Sequence, residues 1–380
     1  MKTKILITIG SFFPGFKIGG PAITIKNLLS AFEVKENYEF FIFCPNHDWG
    51  DSNAYASVKS NEWVTYSNNC KIFYASEEFF NAGYFKNIIS NFDVIYCTGA
   101  FTKFAISAGK FARKHKTPRV VIAPMGSFFT NVINMRKSKM IKKKIFFLYT
   151  KLLKVFNSCM WSATSEEEAA AVRTIYGNKA KIVIAEDAIS FSDSKLIQRD
   201  TKSDFLKVVH ISRIHEKKGL SACIDILLRS KQNIVFDVYG TIEEQTYFDF
   251  CVEKAKQLPN NVRFSYKGSF LPEKVTEIFS KYDVFLFPTK SENFGHVVYE
   301  SLKSSCIPVM SDTTPWTFIK DIGCGFVYQL SDIEKFSSKL DEIALFDCGE
   351  LNSYKLRCYQ FAKKKFDDSI VNSPYEVFFK

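Results

Sequence analysis

Asp283-Val-Phe-Leu-Phe-Pro288-Thr-Lys-Ser-Glu292-Asn-Phe-Gly295-His-Val-Val-Tyr-Glu300-Ser-Leu, followed by Ile307-Pro-Val-Met-Ser311, decides the fold. Asp283–Pro288 is a short apolar run without alternation, which reads as a strand covered on both faces. Gly295–Ser304 has helical spacing, and Ile307–Ser311 is a second buried strand. Strand, helix and strand in so short a span make a βαβ unit, whose two strands lie parallel.

The same grammar extends outward. Phe205–Ser212, Ile234–Tyr239 and Val262–Ser265 read as strands, with helices at Gly219–Ser230 and Pro272–Ser280. Nearer the start, Lys4–Ile9, Glu39–Phe43, Asp93–Cys97, Arg119–Ala123 and Ile182–Ala185 read as strands. Between them lie helices at Pro21–Phe32, Phe101–His115, Lys137–Phe156 and Ser165–Tyr176. Pro21 suits a first helical turn, and Ser165-Glu-Glu-Glu168 is a capping box. Two such sets predict an α/β protein of two doubly wound domains. Ser190–Ser203 is polar and aperiodic and marks the boundary. The expected division is therefore 1–190, a linker at 191–203, and 204–365, with a tail at 366–380 set off by a kink at Asp367-Asp368.

Composition narrows the class. The 380 residues are 46% hydrophobic and 24% charged, as in proteins with packed cores. No apolar run approaches the ~18 residues of a spanning helix. The apolar stretch after Met1 is about six residues, short for a secretory signal, and reads as a buried first strand. The ten cysteines form no C-x-x-C pair and are expected as free thiols of a cytoplasmic protein. Fifty-one basic against 40 acidic residues give +11, which calls for an anionic partner. That charge is not organised around a nucleic-acid reading motif, so nucleic acid is not expected.

Three motifs carry chemistry, each after a strand and before a helix. Gly10-Ser-Phe-Phe-Pro-Gly15-Phe-Lys-Ile-Gly19-Gly20 is a glycine loop that lets backbone approach a ligand and presents a helix start to phosphate. Its spacing is not that of a dinucleotide fingerprint, and alone it reads as a turn-rich loop. Ser212-Arg213-Ile-His-Glu-Lys-Lys218-Gly219 places two cations beside a helix start, suited to a diphosphate; the plain alternative is a solvated turn. Glu292 and Glu300 stand eight residues apart, about 12 Å along a helix axis. One carboxylate reaches the near end of an elongated ligand and the other a group further along, as in a nucleotide-sugar. Spacing of that kind also arises by chance.

Taken together the motifs resemble the retaining glycosyltransferase family 4, the group 1 glycosyltransferases. The resemblance is densest in His210–Ser230 and Asp283–Val327, where Pro308-Val-Met-Ser-Asp-Thr-Thr-Pro-Trp316 and Gly323-Cys-Gly-Phe326 complete it. It implies the GT-B fold: two doubly wound Rossmann-like domains facing a central cleft, the first for the acceptor, the second for the donor, with a tail that crosses back to the first. It implies that Arg213 and Lys218 neutralise the donor diphosphate, that Glu292 contacts hexose hydroxyls and that Glu300 holds the ribose. Gly19 and Gly20 match the loop that closes on the phosphates. Gly268 matches the turn beside the base. Asn293, Phe294, Gly295, His296 and Val297 line the donor. The implied reaction moves a hexose or N-acetylhexosamine from a UDP- or GDP-linked donor to a glycan or polyprenyl-diphosphate-linked acceptor, in bacterial surface polysaccharide synthesis.

Departures accompany the match. Ile184-Ala-Glu-Asp-Ala-Ile189 replaces a Pro-Asn-Gly turn, and no histidine stands near Pro124–Thr130; His47 and His115 read as surface or structural residues. No D-x-D triplet occurs, so neither a metal nor a cofactor is expected, and side-chain cations are expected to stabilise the leaving diphosphate. Arg136, Lys137, Lys139, Lys142, Lys143 and Lys144 crowd one stretch interleaved with apolar residues. It reads equally as a helix lying on an anionic membrane, at the inner face of the cytoplasmic membrane, or as a core-facing helix with a solvated lysine face. A GT-B epimerase and a non-catalytic nucleotide-sugar binder remain the alternative functions.

Overall fold

The computed structural model describes residues 2–15, 17, 19–128, 137–371 and 373–380, with backbone alone for 137–139. The chain divides into two compact units, Met1–Ser190 with Ile370–Lys380, and Phe191–Ser369.

The first unit contains β1 (Thr3–Thr8), α1 (Gly20–Phe32), β2 (Tyr38–Pro45), β3 (Trp63–Ser67), β4 (Cys70–Ala75), α2 (Ala82–Ile88) and β5 (Val94–Thr98). It continues through α3 (Lys103–Ala112), β6 (Arg119–Ala123), α4 (Lys137–Leu152), β7 (Met160–Ala163), α5 (Glu166–Tyr176) and β8 (Lys181–Ile184). Its sheet runs β3-β4-β2-β1-β5-β6-β7-β8. Ile5, Leu6 and Ile7 in β1 are all fully buried, as a central parallel strand with helices on both faces requires. Only β3 pairs antiparallel among the described strands, in a hairpin with β4 that the sequence reading did not contain. Ser165 caps α5 by accepting from Glu168 N, as the capping box predicts.

The second unit contains β9 (Leu206–Ile211), α6 (Leu220–Leu227), β10 (Ile234–Tyr239), α7 (Gln245–Ala255), β11 (Val262–Tyr266), α8 (Val275–Phe279) and β12 (Val284–Phe287). Then come α9 (His296–Lys303), β13 (Ile307–Ser311), β14 (Phe326–Tyr328), α10 (Ile333–Leu345) and α11 (Cys348–Val371). Its parallel sheet runs β11-β10-β9-β12-β13-β14.

Two expectations are corrected here. Residues 191–203, read as a linker, belong to the second unit. Arg199 Nε donates to Asp283 Oδ1 at 2.8 Å, and Arg199 N donates to Asn352 at 2.8 Å, so polar composition here reflects docking by ion pair and amide. The expected kink at Asp367-Asp368 is absent. α11 runs through both residues, with Lys363 paired to Asp367 one turn on.

The chain enters the first unit again at Ile370, and α12 (Glu376–Phe379) packs there. The Phe379 ring meets Phe32, Tyr38 and Phe40 at 5.4, 6.0 and 5.6 Å, and Phe378 is fully buried beside it. Burying each ring contributes about 2–3 kcal/mol. All ten cysteines are free thiols.

Candidate functional site

In the second unit the chain leaves β9 outward to β10 and β11, then returns to β12 on the other side of β9. Strand order reverses there, and the crevice at the carboxyl ends of such a pair is where open parallel sheets bind ligands. The loops after β9 and β12 are the two that carry Arg213, Lys218 and Glu292.

Those loops are stitched together by backbone. Gly219 has φ +82°, and a Cβ there would lie 2.0 Å from the Pro288 carbonyl oxygen, so only glycine allows this approach. The Lys217 carbonyl oxygen accepts from Lys290 N at 2.8 Å and from Thr289 Oγ1 at 3.0 Å. His215 Nδ1 accepts from Lys217 N and caps the single turn Glu216–Lys218. The outcome is an ion pair between Lys218 Nζ and Glu292 Oε1, with side chains 16% and 13% exposed. The pair spans two loops, and leaving either partner alone there costs several kcal/mol, about 3–5 in buried examples.

Arg213 behaves differently. Its guanidinium is 54% exposed and donates through Nη1 to both oxygens of Glu243, at 3.0 and 2.9 Å. An exposed pair of this kind is worth about 0–1 kcal/mol. Lys217, absent from the sequence-derived set, is a third cation of the site. Burial holds its ammonium below the ordinary lysine range, Lys218 and Arg213 add to that, and Glu292 opposes it.

His210 underlies these loops. It is fully buried, its Nδ1 donates to the Leu286 carbonyl at 2.9 Å, and its Nε2 lies 2.8 Å from Ser212 Oγ. Burial pushes its pKa down to about 4, so the ring is neutral near pH 7. It joins β9 to β12 and fixes the start of the Arg213 loop.

The β12–α9 loop is held from the other side. Glu292 N donates to the Thr313 carbonyl at 3.3 Å, and Trp316 Nε1 donates to the Phe294 carbonyl. Gly295 sits at the start of α9 with φ +82°, and no side chain caps that helix. Phe294 and His296 are buried, their rings 4.9 Å apart, and Phe294 packs on Trp316. Their side chains pack into the fold, which leaves the backbone amides of this stretch as the groups available at the loop; Asn293 and Val297 are half-buried. Glu300 is half-buried on α9, and burial raises its carboxyl above the usual range against the pull of His296 and Lys303. Gly268 has φ +84° with open space where a Cβ would stand, and its carbonyl accepts from Gly240 N at 3.0 Å.

Gly19 and Gly20 belong to the first unit, where Gly19 (φ +67°) precedes α1 and Gly20 begins it. This unit has its own reversal of strand order, between β1 and β5. A cavity of about 640 Å³ opens there, lined by Thr8, His47, Trp49, Phe80, Thr98 and Lys103 among others. Thr8 Oγ1 is buried with no oxygen or nitrogen partner. Asp48 organises the rim, accepting from Ser11 Oγ at 2.8 Å and from Trp49 N at 2.7 Å. His47, read from sequence as surface or structural, thus lines the cavity, while His115 is exposed and stacks on Phe111.

Of the basic stretch, Arg136 and the side chains of Lys137 and Lys139 lie outside the described residues. Lys142 and Lys144 are exposed. Lys143 turns inward, its Nζ donating to the Ser127 carbonyl at 2.8 Å, so it belongs to the fold and not to an outer surface.

Residues 193–357, nearly the whole second unit, match the family model of the glycosyl transferases group 1. The match covers less than half of the chain, and the second unit is similar to that family over this span. No curated protein matches the chain in sequence. Solved structures match it end to end. Sucrose-phosphate synthase from Thermosynechococcus elongatus has a TM-score of 0.73 at 14% identity, covering 99% of this chain and 98% of that one. HepE from Anabaena, solved with UDP and glucose, has a TM-score of 0.69 at 14% identity with the same coverage. Trehalose-6-phosphate synthase, studied for glycosyltransfer with retention, has a TM-score of 0.64 at 12% identity, covering 98% and 99%. At these identities the likeness establishes the fold, which is GT-B.

Proposed function

We propose that the protein is a retaining hexosyltransferase. It moves a hexose or N-acetylhexosamine from a UDP- or GDP-linked donor to a glycan or polyprenyl-diphosphate-linked acceptor, in the synthesis of a bacterial surface polysaccharide. The observation that carries the reading is the Lys218–Glu292 pair, which sets a cation and a carboxylate side by side at the strand reversal of the unit that matches the family. The diphosphate binds at Lys218, Arg213 and Lys217. Glu292 Oε2, left over from the ion pair, accepts from the sugar hydroxyls, and Glu300 receives the ribose hydroxyls.

In the reaction the bond from the anomeric carbon to the phosphate oxygen breaks, and its electron pair stays on the diphosphate. The three cations meet that charge as it develops, already held in place by the fold. The acceptor oxygen bonds to the anomeric carbon on the face the leaving group vacates, and its proton passes to the departing phosphate oxygen. Retention is supported by the trehalose-6-phosphate synthase likeness, and a UDP-linked donor by the HepE complex. In the first unit, the cavity at His47, Trp49 and Phe80 offers aromatic faces and hydrogen-bonding groups to a sugar acceptor.

A melting-temperature panel with UDP, GDP and their sugars tests the donor assignment, since a ligand at 100 times its Kd adds about 2.7 kcal/mol to stability. A shift with one base family, together with sugar release in the presence of a chelator, is the expected result. No shift with any nucleoside diphosphate, or turnover abolished by chelator, overturns it.

A further inference from the structure

The outer face of α4 is apolar. Ile141, Ile145, Leu148 and Leu152 are 57, 61, 59 and 71% exposed. At about 100° per residue these four fall within an arc of roughly 60°, a stripe along a helix about 24 Å long. The opposite face is the one that meets the core. Phe146 and Phe147 pack against the first unit's buried cluster, Thr150 is buried with its hydroxyl 3.0 Å from that of Tyr176, and Lys143 reaches inward. The helix therefore has two apolar faces, one satisfied by the protein and one not. A core-facing helix with a solvated lysine face, the competing sequence reading, has only the first.

The charges are placed to match. Lys142 projects about 90° to one side of the stripe, and Lys144 and Lys151 lie about 70–90° to the other. All three are exposed, as is Lys154 just beyond the helix. Lysines flanking an apolar stripe put ammonium groups level with headgroup phosphates while the stripe enters the acyl boundary. A soluble partner's hydrophobic groove would meet the stripe but would not ask for cations on both sides of it. No described helix is long and apolar enough to cross a membrane.

We propose that α4 docks the first unit on an anionic lipid bilayer, with Ile141, Ile145, Leu148 and Leu152 inserted and Lys142, Lys144 and Lys151 on the headgroups. The chemistry recognised is a negatively charged lipid surface, independent of which sugar the protein transfers.

The test is co-sedimentation of the full chain with phosphatidylglycerol vesicles and with phosphatidylcholine vesicles, at 50 mM and 1 M salt. Binding is expected to the anionic vesicles only, and to fall more than tenfold at high salt as the Debye length shrinks to about 3 Å. The double variant Ile145→Glu/Leu148→Glu is expected to lose binding with an unchanged melting temperature, because both side chains are exposed. Lys142→Gln/Lys144→Gln is expected to weaken it about 25-fold, about fivefold per charge. No sedimentation of the wild type with anionic vesicles overturns the proposal. So does binding that survives the double Glu variant, or a wild-type dimer that this variant converts to monomer, which would assign the stripe to a second copy.

Discussion

The two reversals of strand order sit at equivalent places in two sheets and differ in the balance of charge and aromatic surface. Between β9 and β12 stand Arg213, Lys217 and Lys218 with Glu292 and Glu243, charges arranged in pairs that a polyanion can reorganise. Between β1 and β5 stand Trp49, Phe80, His47 and three threonines, with Asp51 and Lys103 beside them, around a cavity of about 640 Å³. The sheet supplies the location in both cases, and the side chains decide what is received there. In the proposed function, the first crevice draws charge away from a leaving group and the second holds the acceptor against its rings.

The sharpest way to break that contrast is Glu292→Gln. It keeps the volume and an acceptor for Lys218 while removing the charge; turnover should fall about 10²–10³-fold, and the melting temperature should drop as well because the Lys218 ammonium loses its counter-charge. Normal turnover would mean that the charged crevice is not where the sugar reacts. Gly219→Ala comes next. The added methyl collides with the Pro288 carbonyl, and unfolding free energy in urea should drop about 2–4 kcal/mol with nucleotide binding lost. A neutral result would show that the two loops need not touch.

His210 gives a pH test. Its folded pKa of about 4 lies below the unfolded value of about 6.5, so the unfolded chain binds the proton first. Its contribution is complete above pH 6.5 and is lost as pH falls from 6.5 to 4, about 3 kcal/mol in all. Melting curves across that window should fall more steeply for wild type than for His210→Gln. Parallel curves would remove the histidine from the account of how the charged crevice is held. The smallest effect is reserved for the other crevice: His47→Ala should raise acceptor KM roughly tenfold while leaving donor hydrolysis and donor KM unchanged. Loss of donor hydrolysis would erase the distinction between the two sites.

The parallel cores were legible because burial on both faces writes itself as unbroken apolar runs, as in Val284–Phe287 and Ile5–Ile7. The β3–β4 hairpin was not legible, because β3 is an edge strand with half its surface open and carries no such run. Spacing brought out Lys218 and Glu292 because a glycine beside a lysine and a glutamate after a strand are local signals. The Arg213–Glu243 pair joins residues 30 positions apart and leaves no such mark. Counting lysines located α4, but charge counts carry no direction, and only coordinates separate Lys143, turned inward, from Lys142 and Lys144. His47 sits in a polar loop whose composition says nothing of the cavity beside it.

The docking of α12 ties together stretches that are made far apart in time. Lys35 and Glu376 form an ion pair across 341 residues, beside the rings that Phe379 completes. At about 5–20 residues per second, the ribosome takes roughly 20–70 s to deliver that last aromatic after the strands it covers have emerged. For that interval Phe32, Tyr38 and Phe40 stand without the ring that covers them, so this part of the first unit's core closes only after the whole second unit has been made.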